Sequence, residues 1–162
     1  MLAKVKKHWI AILVLLLVVI DQIAKGVVIE FLKEESIVLI PNILTLKIVK
    51  NTGGAFGVGE GNVTMFVLTN FVVLGIIIRF LITQKEQMDR KTQIVLSMIL
   101  VGGFSNLIDR LARGFVVDYI TIGNFPVFNI ADCFIVMGWV AFCFLIAKYT
   151  WGEIKKGKKS IQ

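Results

Sequence analysis

Histidine is almost absent from this chain: 162 residues contain one, His8, close to the start. No HExxH or other His-rich spacing exists to hold zinc, and no Ser–His or Cys–His pair can be assembled away from that end. Cysteine is equally scarce. Cys133 and Cys143 both fall in one apolar stretch, which offers no disulfide framework, and Cys143 reads as a small packing residue. Cys133 directly follows Asp132, and only carboxylates lie near it in sequence to serve as a base, so a thiol nucleophile is not expected. The glycine-rich run Asn51–Gly57, continued by Gly59 and Gly61, lacks the Gly-Lys-Ser/Thr ending of a phosphate loop. Internal repeats, low-complexity tracts and a soluble domain are all missing. So is a small-residue cleavage site after the basic start (Lys4, Lys6, Lys7) and the first apolar run, where the chain continues Asp21-Gln22-Ile23-Ala24-Lys25. That first run therefore reads as an uncleaved helix.

What the chain has in excess is apolar sequence: 57% of its residues are hydrophobic and its mean hydropathy is +0.84. Trp9–Ile20 (running on to Phe31), Val63–Ile82, Ile94–Ile108 and Ile130–Ala147 carry the surplus. Each approaches the about 20 residues that cross a bilayer. The fold expected is an all-α membrane protein of one domain, residues 1–162, with helices at about 9–31, 63–83, 92–110 and 129–150. Between the first two, in a loop of about 32–61, Ser36–Ile40 and Ile43–Val49 are short and β-branched and flank Pro41-Asn42, which predicts a small β element.

The net charge of +7 is unevenly placed. With both termini cytoplasmic, 12 of the 18 basic residues lie inside with three acids, and six basic residues lie outside with eight acids. The balance, positive inside, is the usual one for an even number of spans. These cations read as topology signals and anionic-lipid contacts; split between two ends and one short loop, they make no nucleic-acid site.

Against this background Asp118 and Asp132, fourteen positions apart, stand out. Phe115-Val116-Val117 and Tyr119-Ile120 flank the first; Phe128-Asn129-Ile130-Ala131 and Cys133-Phe134-Ile135 flank the second. A carboxylate in such surroundings is costly unless paired or in use. Two that meet can share a proton, one side taking a proton from water and the other donating to a carbonyl oxygen. The plainer alternative leaves Asp118 solvated in a loop and Asp132 capping the last helix. Topology also brings Asp21, Asn51, Asn106, Asp109, Arg110 and Asn129 to the same depth at the outer boundary. Asp21 and Lys25, one turn apart, form a charge-reducing pair or a contact to headgroup or substrate. Asp109-Arg110 reads as a local ion pair or helix-end contact, with Arg110 also suited to hold backbone carbonyls. The glycine run is either a substrate-facing loop or an ordinary turn.

Five motifs in order, Asp21-Gln22-x-x-Lys25, Asn51-x-Gly53-x-Ala55-Phe56-Gly57, Asn106-x-x-Asp109-Arg110, Gly114-x-Val116-Val117-Asp118-Tyr119 and Phe128-Asn129-x-Ala131-Asp132, make the chain resemble lipoprotein signal peptidase, the signal peptidase II family of bacterial membrane aspartic endopeptidases. The resemblance implies removal of signal peptides from prolipoproteins, cutting before a cysteine that carries diacylglycerol, without metal or cofactor. It implies Asp118 and Asp132 as the catalytic pair, and Asp21, Lys25, Asn51, Gly53, Asn106, Asp109, Arg110 and Asn129 as substrate-binding or supporting residues. It further implies residence in the bacterial inner membrane, an active site at the extracytoplasmic face, membrane lipids as partners and inhibition by the cyclic peptide globomycin. Two positions depart from the usual pattern: Ser105 stands where glycine is usual, and Gly54 where alanine is. Both are small, so close packing is expected to survive, with the extra glycine loosening the loop. Other classes, a small transporter relaying protons and a non-catalytic lipoprotein-binding factor, stay open on the residues alone.

Overall fold

A computed structural model describes residues 2–33, 35–54, 57–84 and 86–159. In chain order the elements are α1 (Leu2–Leu32), β1 (Ile37–Ile40), β2 (Leu44–Asn51), α2 (Val63–Thr83), α3 (Arg90–Arg113), β3 (Val116–Ile122) and α4 (Ile130–Lys159). Four of the helices contain stretches long and apolar enough to cross a membrane: Trp9–Leu32, Val63–Thr83, Arg90–Arg113 and Ile130–Lys156.

Helix ends explain where the spans differ from the sequence reading. Asp89 caps α3 by accepting from the Thr92 N–H at 2.9 Å, and Gly114 ends it in the left-handed region at φ 78°. The helix thus runs past the polar residues at which it had been expected to stop. Before α4, Asn129 Oδ1 accepts from the Asp132 N–H at 2.9 Å and Asp132 Oδ2 accepts from the Asn129 N–H at 3.1 Å. This reciprocal capping box starts the helix at Ile130.

α3 is the central helix. Two-thirds of its apolar window (67%) is buried, against 17% for α1, 17% for α2 and 11% for α4. Val14 and Val18 of α1, and Leu74 and Ile77 of α2, pack on Leu96, Ile99, Leu100, Val101 and Leu107 of α3. The outer helices turn Leu15, Leu68, Ile76, Val140 and Phe144 outward, each more than 60% exposed. In water each would forgo roughly 2 kcal/mol of burial, so this surface belongs against lipid.

Helices α3 and α4 approach most closely, through glycine. A methyl group at Gly102 would run into the Ala131 carbonyl oxygen and Ile135, and one at Gly138 would sit 2.6 Å from Ile99 Cγ1. Glycine at such contacts lets two backbones meet. Gly102→Ala is expected to cost about 1–3 kcal/mol through overpacking. Gly75→Ala, where nothing lies within 4 Å, is expected to be neutral or slightly stabilising. Thermal unfolding of both variants in detergent checks the contrast; equal midpoints would refute the packing argument.

The strands form one antiparallel sheet in the order β1-β2-β3. β1 and β2 are the expected small β element, and they form a hairpin; Ile43 N donates to Ile40 O at 3.1 Å, with Pro41 and Asn42 (φ 61°) at the turn positions that favour proline and a positive φ. β3 is an addition, since a β element was expected only in the loop of about 32–61. Its signal was present: Val116, Val117, Tyr119, Ile120 and Ile122 form a β-branched and aromatic run between Gly114 and Gly123. β3 pairs with β2 from Asn51↔Val116 to Leu44↔Ile122. The sheet therefore joins the ends of all four helices at one end of the bundle, and Val49 faces Asp118 in register.

Candidate active site

One turn of α1 places Asp21 and Lys25 on the stripe that faces α3, where both are essentially fully buried. The Lys25 ammonium lies 3.2 Å from Asp21 Oδ2, 2.9 Å from Asp109 Oδ2 and 2.9 Å from Asn106 Oδ1. An ammonium has three donors, and each has an acceptor here. Asp109 is the hub of this cluster. It also accepts from Gln22 Nε2 at 3.1 Å, from Arg113, and from the Val117 N–H of β3 at 3.1 Å. Removing one partner of a buried pair costs about 3–5 kcal/mol, because the other charge is stranded.

The same polar layer contains the two singled-out aspartates. Asp118, on β3, is 1% exposed, so the alternative of a solvated loop carboxylate is discarded. Asn51 at the end of β2 donates to its Oδ2 at 2.8 Å, and Asn129 donates to its Oδ1 at 2.7 Å. Asp132, in the first turn of α4, accepts at Oδ1 from Asn106 Nδ2 at 2.7 Å and at Oδ2 from the Asn129 N–H. Capping is thus one of its tasks, carried out by one oxygen. Asn129 donates to both carboxylates, its side-chain amide to Asp118 and its backbone N–H to Asp132. Each of these four carboxylate oxygens receives one N–H and retains capacity to accept another.

Burial pushes the Asp118 carboxyl up to about 6, and the neighbouring Asp132 charge adds to the rise; the Asn51 and Asn129 hydrogen bonds and the Lys25 charge oppose it. Among the described residues, no three or more His, Cys, Asp and Glu side chains are grouped as metal ligands.

Arg110 does not pair with its neighbour Asp109. Its Nη2 donates to the Gly53 carbonyl at 2.8 Å while its guanidinium lies over the Phe66 ring, 5.1 Å from the centroid. Asp109 instead serves Lys25 and Arg113. The loop after β2 is thereby fastened to α3. Asn51 folds it locally, its Oδ1 accepting from the Gly53 N–H at 2.9 Å. Gly54 does not simply loosen the loop, since a methyl there would meet the Phe66 ring at 3.0 Å. Ala55 and Phe56 of the loop motif lie outside the described residues.

All ten residues singled out in the sequence as site candidates lie in or beside this layer: Asp21, Lys25, Asn51, Gly53, Asn106, Asp109, Arg110, Asp118, Asn129 and Asp132. Three further members were not among those ten, although Gln22 stands in the Asp21–Lys25 motif and Ser105 was noted as a departure from the usual pattern. Gln22 donates to the Ser105 carbonyl at 3.0 Å and to Ser105 Oγ at 2.8 Å; Ser105 Oγ donates to Asp21 Oδ2; Arg113 donates to Gln22 Oε1 at 3.1 Å. Size alone had been weighed for Ser105, whereas its hydroxyl is spent on the acid beside Lys25. Arg113 was readable from its place one turn after Asp109.

These features define a polytopic membrane protein whose helix ends and sheet converge on a pair of carboxylates, Asp118 buried and Asp132 partly buried. The chain belongs to the signal peptidase II family, a family of proteases: the model described as signal peptidase (SPase) II matches residues 13–148. Among curated relatives, the lipoprotein signal peptidase of Shouchella clausii is 38% identical over 129 residues, covering 78% of this chain and 85% of the relative. That of Caldicellulosiruptor bescii is 33% identical over 152 residues, covering 94% and 98%. A solved bacterial membrane enzyme, determined by the in meso method at 2.3 Å resolution, is similar with a TM-score of 0.81 at 28% identity, covering 88% of this chain and 90% of that one.

Proposed function

We propose that the chain, acting as one domain, removes signal peptides from prolipoproteins by aspartic endopeptidase chemistry, with Asp118 and Asp132 as the catalytic pair. The observation that carries this reading is the shared Asn129, which donates to both carboxylates, the buried Asp118 and the partly buried Asp132. Two acids held together in a water-poor site do not ionise together, so one proton stays on the pair. The ionised member takes a proton from a water as its oxygen attacks the scissile carbonyl carbon. The protonated member gives its proton to the carbonyl oxygen. Collapse of the tetrahedral intermediate breaks the C–N bond: the amine takes a proton from the protonated member while the ionised member takes one from a hydroxyl of the intermediate, which leaves the carboxylic acid and restores one proton to the pair.

The bond cut is the one before the diacylglyceryl-cysteine. The positive-inside balance supports an orientation with both termini in the cytoplasm and this layer at the extracytoplasmic boundary. A lipidated substrate would then enter sideways from the outer leaflet, its acyl chains in bilayer, and the Gly53 loop with the asparagine amides would hold the extended peptide. Globomycin would compete for that position. The family assignment and the peptidase names of its relatives support the substrate class.

Purified protein in detergent, mixed with a lipidated prolipoprotein, is expected to give a faster-migrating product whose mass begins at the modified cysteine. Uncleaved substrate, with binding retained, would support a lipoprotein-binding factor instead.

A further inference from the structure

An asparagine amide is nearly symmetric in shape, and only its neighbours decide which end faces which way. Three such amides surround the carboxylate pair. Two are oriented by backbone: Asn51 Oδ1 accepts from the Gly53 N–H and Asn129 Oδ1 from the Asp132 N–H, each at 2.9 Å. Asn106 takes its orientation from side chains. Its oxygen lies 2.9 Å from the Lys25 ammonium, which can only donate, so its NH2 must face the other way, where Asp132 Oδ1 lies at 2.7 Å. The Asn129 amide also approaches Asn106 Oδ1, at the longer distance of 3.3 Å, but its shorter bond of 2.7 Å goes to Asp118. Lys25 cannot turn away, because Asp21 and Asp109 hold its other two donors.

We propose that Lys25 is a positioning residue for the catalytic pair: from α1 it locks the Asn106 amide with its NH2 aimed at Asp132, and so fixes where that carboxylate points. The proposal rests on the reading of Asp118 and Asp132 as that pair. Without the ammonium, only the longer Asn129 bond holds the Asn106 oxygen in place, and the amide can more readily turn that oxygen toward Asp132, where two acceptors repel. Charged or titratable groups face this chain of contacts from every side: Asp21 on α1, Asp109, Arg110 and Arg113 on α3, Asp118 and Tyr119 on β3, and Asp132 and Cys133 on α4.

A double-mutant cycle in kcat tests the proposal. Lys25→Met is expected to lower kcat about 10- to 100-fold, the worth of one hydrogen bond to a charged group, with KM little changed. Asn106→Ala is expected to lose a similar factor. Adding Lys25→Met to Asn106→Ala should then cost less than about twofold, because the amide through which Lys25 acts is gone. Lys25→Met strips the counter-charge from Asp21 and Asp109, so Asp21→Asn/Lys25→Met, which keeps the charge balance, is measured beside it. The pH profile supplies a readout that packing alone would not move. The Lys25 charge holds Asp118 down, so its loss should carry the alkaline limb of kcat/KM to higher pH. Multiplicative losses with an unmoved limb would overturn the proposal, as would failure of both Lys25 variants to fold, which would make the residue structural. A wild-type protein that cleaves nothing would instead bring down the catalytic reading itself.

Discussion

Asp118→Asn and Asp132→Asn are each expected to lower prolipoprotein cleavage by about 1,000-fold or more, the upper range for loss of a positioned acid–base group. The double variant should be scarcely worse than either single one, since the two residues act as a unit on one proton and one water. An amide at either position can neither take a proton from water nor share one. Folding should survive at a moderate cost. Each carboxylate accepts an N–H on both oxygens: Asn51 and Asn129 on Asp118, Asn106 and the Asn129 backbone on Asp132. An Asn side chain satisfies one of these donors and turns its own NH2 toward the other. The unmet donor costs about 1–3 kcal/mol. The gel assay on lipidated prolipoprotein, run beside circular dichroism and thermal unfolding in detergent, separates the two effects. Near-normal processing by either variant would remove the carboxylate pair from the mechanism.

The membrane-spanning architecture was legible because length and hydropathy are properties of single segments: all four long helices follow from runs of apolar residues. β3 was not, because pairing is a relation between distant residues. Val116–Ile122 declares its β character locally, but that it completes a sheet begun at Ile37 depends on α3 delivering it beside β2. The same distinction governs the polar layer. Asp21, Asn106 and Asp132 stood out as polar residues in apolar sequence near a helix end, where their retention is costly. The partnerships did not. Nothing in Asp109-Arg110 says that the acid turns to α1 and β3 while the guanidinium crosses to the loop. Neighbours on a helix point about 100° apart, and only tertiary packing decides what each meets. Ser105 shows the limit most plainly: judged by volume it is an acceptable substitute for glycine, whereas its hydroxyl joins Asp21 and Gln22 across two helices.

The pH dependence of cleavage should carry the signature of the raised Asp118 carboxyl. Its ordinary value is 3.8, and burial together with the Asp132 charge pushes it up to about 6. In the free enzyme the proton shared by the pair is therefore lost as pH rises through about 6, and kcat/KM, which reports free enzyme, should fall tenfold for each further unit above that limb. In kcat the limb should lie at higher pH, because bound substrate displaces water from beside Asp118 and disfavours the second charge still more. The same group makes a linked demand on stability, with its sign fixed by the direction of the shift. Between about pH 4 and 6 the folded protein keeps a proton that the unfolded chain has released, so stability declines across that window. The full cost, about 3 kcal/mol, is present above pH 6. Initial rates from pH 4.5 to 8.5 in detergent, with unfolding midpoints at the same values, test both halves. A kcat/KM flat from pH 5 to 8 would mean that the working proton does not reside on Asp118 and its partner. If, in addition, the wild-type midpoint fails to drop between pH 4 and 6 relative to that of Asp118→Asn, the buried carboxyl has not been raised at all, and the desolvation of the site is less than its burial implies.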